Sequence, residues 1–129
     1  MTETIQPNDL VIARYKTGEY IAKVIEPRQT EQAVVEILAV IKHPTQGDLH
    51  SPNNINVPLF HQRKALAYHE KAVVRVNTLK QYEGNQIPEY KASLRKAVND
   101  KLEKLGKRGD DWARLAIEQL RDLEKDYFG

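Results

Sequence analysis

The apolar residues of this 129-residue chain change their period once. Up to about Val76 they fall in short β-branched runs separated by turn residues. From Tyr90 onward they recur every third or fourth position. Alternating or continuous β-branched runs make strands, and a period near 3.6 makes amphipathic helices. The switch predicts an α+β chain: a strand-rich part over residues 1–77, then a helical part over 78–129.

In the first part, Leu10–Ala13 follows the turn cluster Pro7-Asn8-Asp9. Tyr15-Lys16-Thr17-Gly18-Glu19-Tyr20 reads as a hairpin, with Gly18 in the left-handed position that glycine tolerates. Tyr20–Ile25 is the return strand, ended by Pro27, and Gln32–Lys42, rich in Val and Ile, is the third. Ala65–Glu70 and Ala72–Val76 read as strands four and five, and Thr78–Tyr82 as a helical turn. Five short strands with an early hairpin predict a small, strongly bent barrel of the SH3-like type, which removes the open edges of a flat sheet. Between the third and fourth strands lies an insertion, residues 43–64, with three prolines and several asparagines. Loops of that length are usually functional or disordered. Leu49, Ile55, Val57, Leu59 and Phe60 give this one apolar anchors, so it reads as an ordered excursion.

In the second part, Tyr90, Leu94, Val98, Leu102 and Leu105 form one helical stripe, with Pro88 in the first turn. Gly106 and Gly109 bracket a break, and Asp110 caps a second helix. Its stripe is Trp112, Leu115, Ala116, Gln119, Leu120, Leu123 and Tyr127, with Trp112 as a core anchor. The pair is predicted to pack as an antiparallel hairpin, and because each helix has an apolar stripe the pair must also lie against the barrel or a partner.

Charge narrows the partners. Net charge is +2, and residues 1–87 and 88–129 each carry ten Lys/Arg and nine Asp/Glu. Neither part is a basic lobe of the kind nucleic-acid binders usually present, so nucleic acid is not expected as a partner. The basic run Lys101–Arg108 is accounted for by the dipole at a helix C-terminus. Cysteine is absent, which removes disulfides, thiolate zinc sites and cysteine nucleophiles. The N-terminus MTETIQPNDLV has neither the basic nor the apolar region of a signal peptide, and no run is long enough to span a membrane. A cytoplasmic protein is expected.

The one cluster that invites chemistry is His43, His50, His61 and His69, with Asp48 beside His50. Two or three histidines and a carboxylate would suit zinc. These spacings match no metal signature, and the histidines are read as hydrogen-bonding the backbone of a long loop. Neither serine, Ser51 or Ser93, has a nucleophile-elbow context, and there is no phosphate-binding glycine loop. No enzymatic activity, cofactor or metal is expected.

Val40-Ile41-Lys42-His43-Pro44-Thr45-Gln46-Gly47-Asp48-Leu49-His50, followed by residues Val57 to Ala67 (VPLFHQRKALA), resembles the kinase-associated protein B family. Tyr15–Tyr20, Lys80–Gly84 and Ile87–Tyr90 are similar to it as well. The resemblance implies a non-catalytic accessory factor of a membrane sensor histidine kinase that feeds the sporulation phosphorelay. It also implies an SH3-like barrel followed by helices. Some members have been described as lipoproteins; without a cysteine, lipid anchoring is not expected here. The family supplies no catalytic motif to carry over. The insertion itself, rather than the resemblance, points to His43, Asp48, His50, Phe60, His61 and Arg63 as an interaction surface. The alternative is a small-barrel module bound to RNA or ribosomes.

Overall fold

The computed structural model describes residues 5–28, 31–47, 61–84 and 86–129. Five antiparallel strands precede two helices: β1 (Leu10–Tyr15), β2 (Gly18–Arg28), β3 (Gln32–Lys42), β4 (Lys71–Arg75), β5 (Lys80–Gln81), α1 (Tyr90–Arg108) and α2 (Asp111–Phe128). The sheet order is β4-β3-β2-β1-β5. The long β2–β3 hairpin has register shifts after Glu19, Ile21 and Val24. Each bulge adds bend and twist. The sheet therefore curls until Cα atoms of β1 and β4 lie within 8 Å of each other. Among the described residues no ladder joins β4 to β5, so the sheet is a curl and not a barrel closed by hydrogen bonds.

β3 matches its predicted bounds and buries Ala33, Val35, Ile37 and Ala39 in alternation. Other elements depart from expectation for identifiable reasons. In the first hairpin Lys16, not Gly18, takes the left-handed conformation (φ 54°). Gly18 is needed for space: a Cβ there would lie 2.5 Å from the Tyr20 hydroxyl. β2 runs through Pro27, which faces Ala33 in the ladder, and does not stop before it. Residues 78–82 are not a helical turn; a 3-10 turn at Val76–Thr78 leads into β5, which pairs Gln81 with Val11.

Residues 65–70 form no strand. Only His69 and Glu70 still pair with β3, through Ile37; at Ala65 and Leu66 tyrosine hydroxyls take the place of a neighbouring strand. Ala65 N–H donates to Tyr127 Oη (2.9 Å) and Leu66 N–H to Tyr20 Oη (3.2 Å), while Tyr90 Oη donates to the Leu66 carbonyl. Tyr68, expected in that strand, sits on a turn and is 52% exposed. His69 completes the turn with φ 69°, and β4 starts only after it.

α1 begins at Tyr90, because Glu89 caps Ala92 N–H (3.0 Å), which leaves Pro88 outside the helix. It runs through Gly106 to Arg108 and ends at Gly109, whose left-handed φ of 69° glycine adopts without a Cβ penalty. Asp110 then caps α2 through Ala113 N–H (2.8 Å), as expected. Where β4 no longer covers β3, α1 takes over its edge: Ser93 Oγ accepts from Val40 N–H (3.0 Å). One core joins Val11, Val24, Val35 and Ile37 of the sheet to Leu94 and Val98 of α1 and Leu123 and Tyr127 of α2. A second cluster, built on Trp112 with Leu105, Ala116 and Leu120, holds the far end of the helical hairpin.

Candidate functional site at the neck of the insertion

The insertion leaves the sheet at His43–Gly47 and returns at His61–Leu66. These two segments are stitched side to side. Gln46, 3% exposed, donates through Nε2 to the carbonyls of Arg63 (2.8 Å) and Pro44 (3.2 Å) and accepts Arg63 N–H on Oε1 (2.8 Å). Gly47 N–H donates to the His61 carbonyl (2.8 Å), and Arg63 Nε donates to the Gly47 carbonyl (3.0 Å). The neck is then tied to the rest of the fold. Thr45 N–H reaches Thr17 Oγ1 (2.9 Å) in the β1–β2 turn, and Gln62 Nε2 reaches Gln119 Oε1 (3.2 Å) and Asp122 Oδ2 (2.9 Å) on α2.

His43 anchors the neck from below. It is fully buried, with Nδ1 3.0 Å from the Pro44 carbonyl and Nε2 2.9 Å from Tyr127 Oη. A carbonyl only accepts, so Nδ1 carries the proton and Nε2 is the acceptor. Tyr127 therefore donates to His43 and accepts from Ala65, and every member of the chain is satisfied. Burial pushes the imidazole pKa down from 6.5 to about 4, with Lys101 adding to the effect through its charge. His43 is neutral at physiological pH. Burial likewise raises the Tyr127 phenol to about 12. Among the described residues no buried side-chain nitrogen or oxygen lacks a hydrogen-bond partner.

Three of the predicted surface residues thus meet at this neck, in different settings. His43 has no surface to offer a partner without opening the neck. Arg63 is half-buried, with its Nε committed to Gly47, and His61 is exposed. Asp48, His50 and Phe60 lie outside the described residues. His69, 57% exposed in its side chain, stands apart from these and pairs with Glu36. Sequence reasoning missed Gln46, Tyr20, Tyr90 and Tyr127. The legible signal was the placement of Tyr90 and Tyr127 on core stripes, since a buried tyrosine hydroxyl needs a partner. Beside the neck lies an open cleft of about 340 Å³, lined by Tyr15, Lys16, Gln62, Arg63, Lys64 and Glu70.

Among the described residues no three His, Cys, Asp or Glu side chains gather closely enough to hold a metal ion. No described helix is long and apolar enough to cross a membrane. The stitched neck can hold a loop in place, and most of its hydrogen bonds are spent on backbone groups. Fold and site define a small α+β protein in which a curled sheet and a helical hairpin together hold the stitched neck of an insertion.

The chain belongs to the kinase-associated protein B family, whose model matches residues 15–128. It is 41% identical over 125 residues to kinase-associated lipoprotein B of Bacillus subtilis (strain 168), across 97% of this chain and 96% of that protein. The crystal structure of kinase-associated protein B from Bacillus cereus superposes with a TM-score of 0.83 at 35% identity, covering 96% of this chain and 98% of that one. The B. subtilis relative is named a lipoprotein, whereas the 129 residues here contain no cysteine.

Proposed function

We propose that this chain is a non-enzymatic accessory protein of a membrane sensor histidine kinase in the sporulation phosphorelay. It works in the cytoplasm by protein–protein contact. Its SH3-like curl, residues 1–77, and its helical unit, residues 78–129, act as one platform for the insertion. The contact surface is the face around the insertion, with Asp48, His50, Phe60, His61 and Arg63 as its residues and His43 as its buried anchor. Family membership supports the kinase as partner. The observation that carries the surface is the reciprocal Gln46–Arg63 pair, which braces the insertion at its base. Binding gains when a loop is ordered before its partner arrives, because less ordering is left to be done in the complex.

The test is crosslinking of the tagged protein in its native cells, with identification of partners with and without nuclease and high salt. The expected result is a sensor histidine kinase that survives nuclease. The purified kinase should then bind Asp48→Ala/His61→Ala more weakly at unchanged thermal stability. Arg63→Ala, which also frees the Gly47 carbonyl, should lose stability as well. Recovery of ribosomes or RNA-dependent partners would overturn the reading.

A further inference from the structure

The described residues include four large apolar side chains that the fold leaves exposed: Ile41, Tyr68, Val73 and Ile87. Three of them line two adjoining depressions that meet at Pro88 and together make an apolar channel. Tyr68 and Ile87 border a depression of about 440 Å³ with Leu38, Pro88 and Tyr90. Pro88 is shared with an adjoining depression of about 340 Å³, where Ile41 faces Ala92 and Ala97. The channel follows the edge of β3 that β4 does not reach, and α1 forms its other wall.

The Ser93–Val40 hydrogen bond sets the two walls in register. From Ser93 to Lys101 α1 advances about 12 Å, at about 1.5 Å per residue. From Val40 to His43 the strand advances about 10 Å. Lys101 therefore comes level with Lys42 and His43 at the end of the channel, and Lys104 lies one turn further along α1. Lys101 occupies a stripe position between Val98 and Leu105 and is half-buried. Among the described residues none of Lys42, Lys101 and Lys104 has a carboxylate within 4.0 Å. The nearby acids pair with other bases: Asp100 with Lys96, Glu103 with Lys107, and Glu19, which sits opposite Lys42 in the β2–β3 ladder, with Arg14. Burial lowers the Lys101 pKa to about 8, and the charges of Lys42 and Lys104 lower it further. That is the response of a cation left without a counter-charge.

We propose that this channel is a docking site for a segment of a partner protein that carries apolar side chains followed by carboxylates. The apolar residues fill the trough from Tyr68 to Ile41, and the acids meet Lys42, Lys101 and Lys104. The site does not require the partner to be a kinase. Clustered like charges at one end of an apolar trough give the segment a direction as well as a composition.

The test uses the full chain, isotope-labelled, and two synthetic peptides. Both place leucines on one helical face; one ends in three glutamates, the other in three lysines. Amide shifts are followed by NMR up to millimolar peptide. The acidic peptide should shift Ile41, Ile87 and Ala97 and bind about tenfold more tightly than the basic one, with the difference shrinking as salt rises. Lys42→Glu/Lys104→Glu should reverse the preference, and Ile87→Asp should abolish binding by both. All three substitutions are at exposed positions, and the dispersion of each spectrum reports folding. Absence of shifts, shifts confined to other faces, or equal affinity for the two peptides would overturn the proposal. So would tighter binding of the same face by a single-stranded oligonucleotide or by anionic vesicles, which would assign it to nucleic acid or to a membrane surface.

Discussion

Replacing Tyr127 by Phe removes one oxygen and leaves the ring in place. The structure makes that oxygen serve two buried groups at once. Ala65 N–H donates to it at 2.9 Å, and it donates to His43 Nε2 at 2.9 Å. Ala65 is 7% exposed and His43 is not exposed at all, so neither group finds water after the change. An unsatisfied buried polar group costs about 1–3 kcal/mol, and relief from burying the hydroxyl offsets part of two such penalties. The expected loss is about 2–3 kcal/mol, a large share of the roughly 5–15 kcal/mol that holds a domain folded. Tyr20→Phe is the internal control. Its hydroxyl serves Leu66 N–H, a half-buried group, across 3.2 Å, so its loss should cost only about 1 kcal/mol. Urea denaturation measures both, with an unchanged slope confirming that the unfolded reference is the same. A cycle with His43→Leu adds a second check: the double variant should cost clearly less than the sum, because both ends of one bond have gone. If Tyr127→Phe costs no more than Tyr20→Phe, the buried relay is not what holds the neck.

Three further outcomes follow from named groups. His43 has its folded pKa lowered from 6.5 to about 4, so the unfolded chain takes up a proton first as pH falls. Its contribution is complete above about 6.5 and lost toward 4, about 3 kcal/mol, seen in urea titrations at the two ends and absent in His43→Leu. Lys101 has its folded pKa lowered from 10.5 to about 8, so stability rises with pH between those values. Lys101→Met should gain about 0.5–1 kcal/mol at neutral pH after allowance for partial exposure, and thermal melts near pH 10 should show that gain shrinking. Gly109→Ala forces a Cβ into φ 69° and should cost about 1 kcal/mol by urea denaturation, whereas Gly106→Ala, inside α1 with nothing within 4 Å of the new carbon, should be neutral or stabilising.

What the sequence reveals of this fold follows the range of the interactions involved. β3 and the start of α2 are set by neighbours a few residues away, by alternating Val and Ile in one case and by an aspartate cap in the other. Both are legible. Residues 65–70 carry a strand-like pattern, yet only the last two pair with β3, and the partners of the first two are hydroxyls 62 residues away for Ala65 and 46 and 24 residues away for Leu66. No local pattern announces that. His43 reads as a loop histidine for the same reason: its partner Tyr127 is 84 residues further along the chain. Of the candidate site, the location of the insertion was legible and its bracing was not. Gln46 has no local signature, because a glutamine in a loop is ordinarily a solvated side chain.

The tyrosines explain why the helical hairpin and the insertion belong to one device. Past Ile37 the sheet has no strand left to offer, and the returning chain must find donors and acceptors elsewhere. Tyr20 comes from the sheet, Tyr90 from the first turn of α1 and Tyr127 from the last turn of α2. Their hydroxyls do for residues 65 and 66 what a neighbouring strand would have done. The neck therefore keeps its shape only while both helices are seated. Tyr90 also forms part of the wall of the apolar channel, and Lys91, beside it, donates to the Tyr127 carbonyl. Any segment lying in the channel would press on the same side chains that fix the base of the insertion. The channel wall and the neck are joined by these hydrogen bonds and by one packed core.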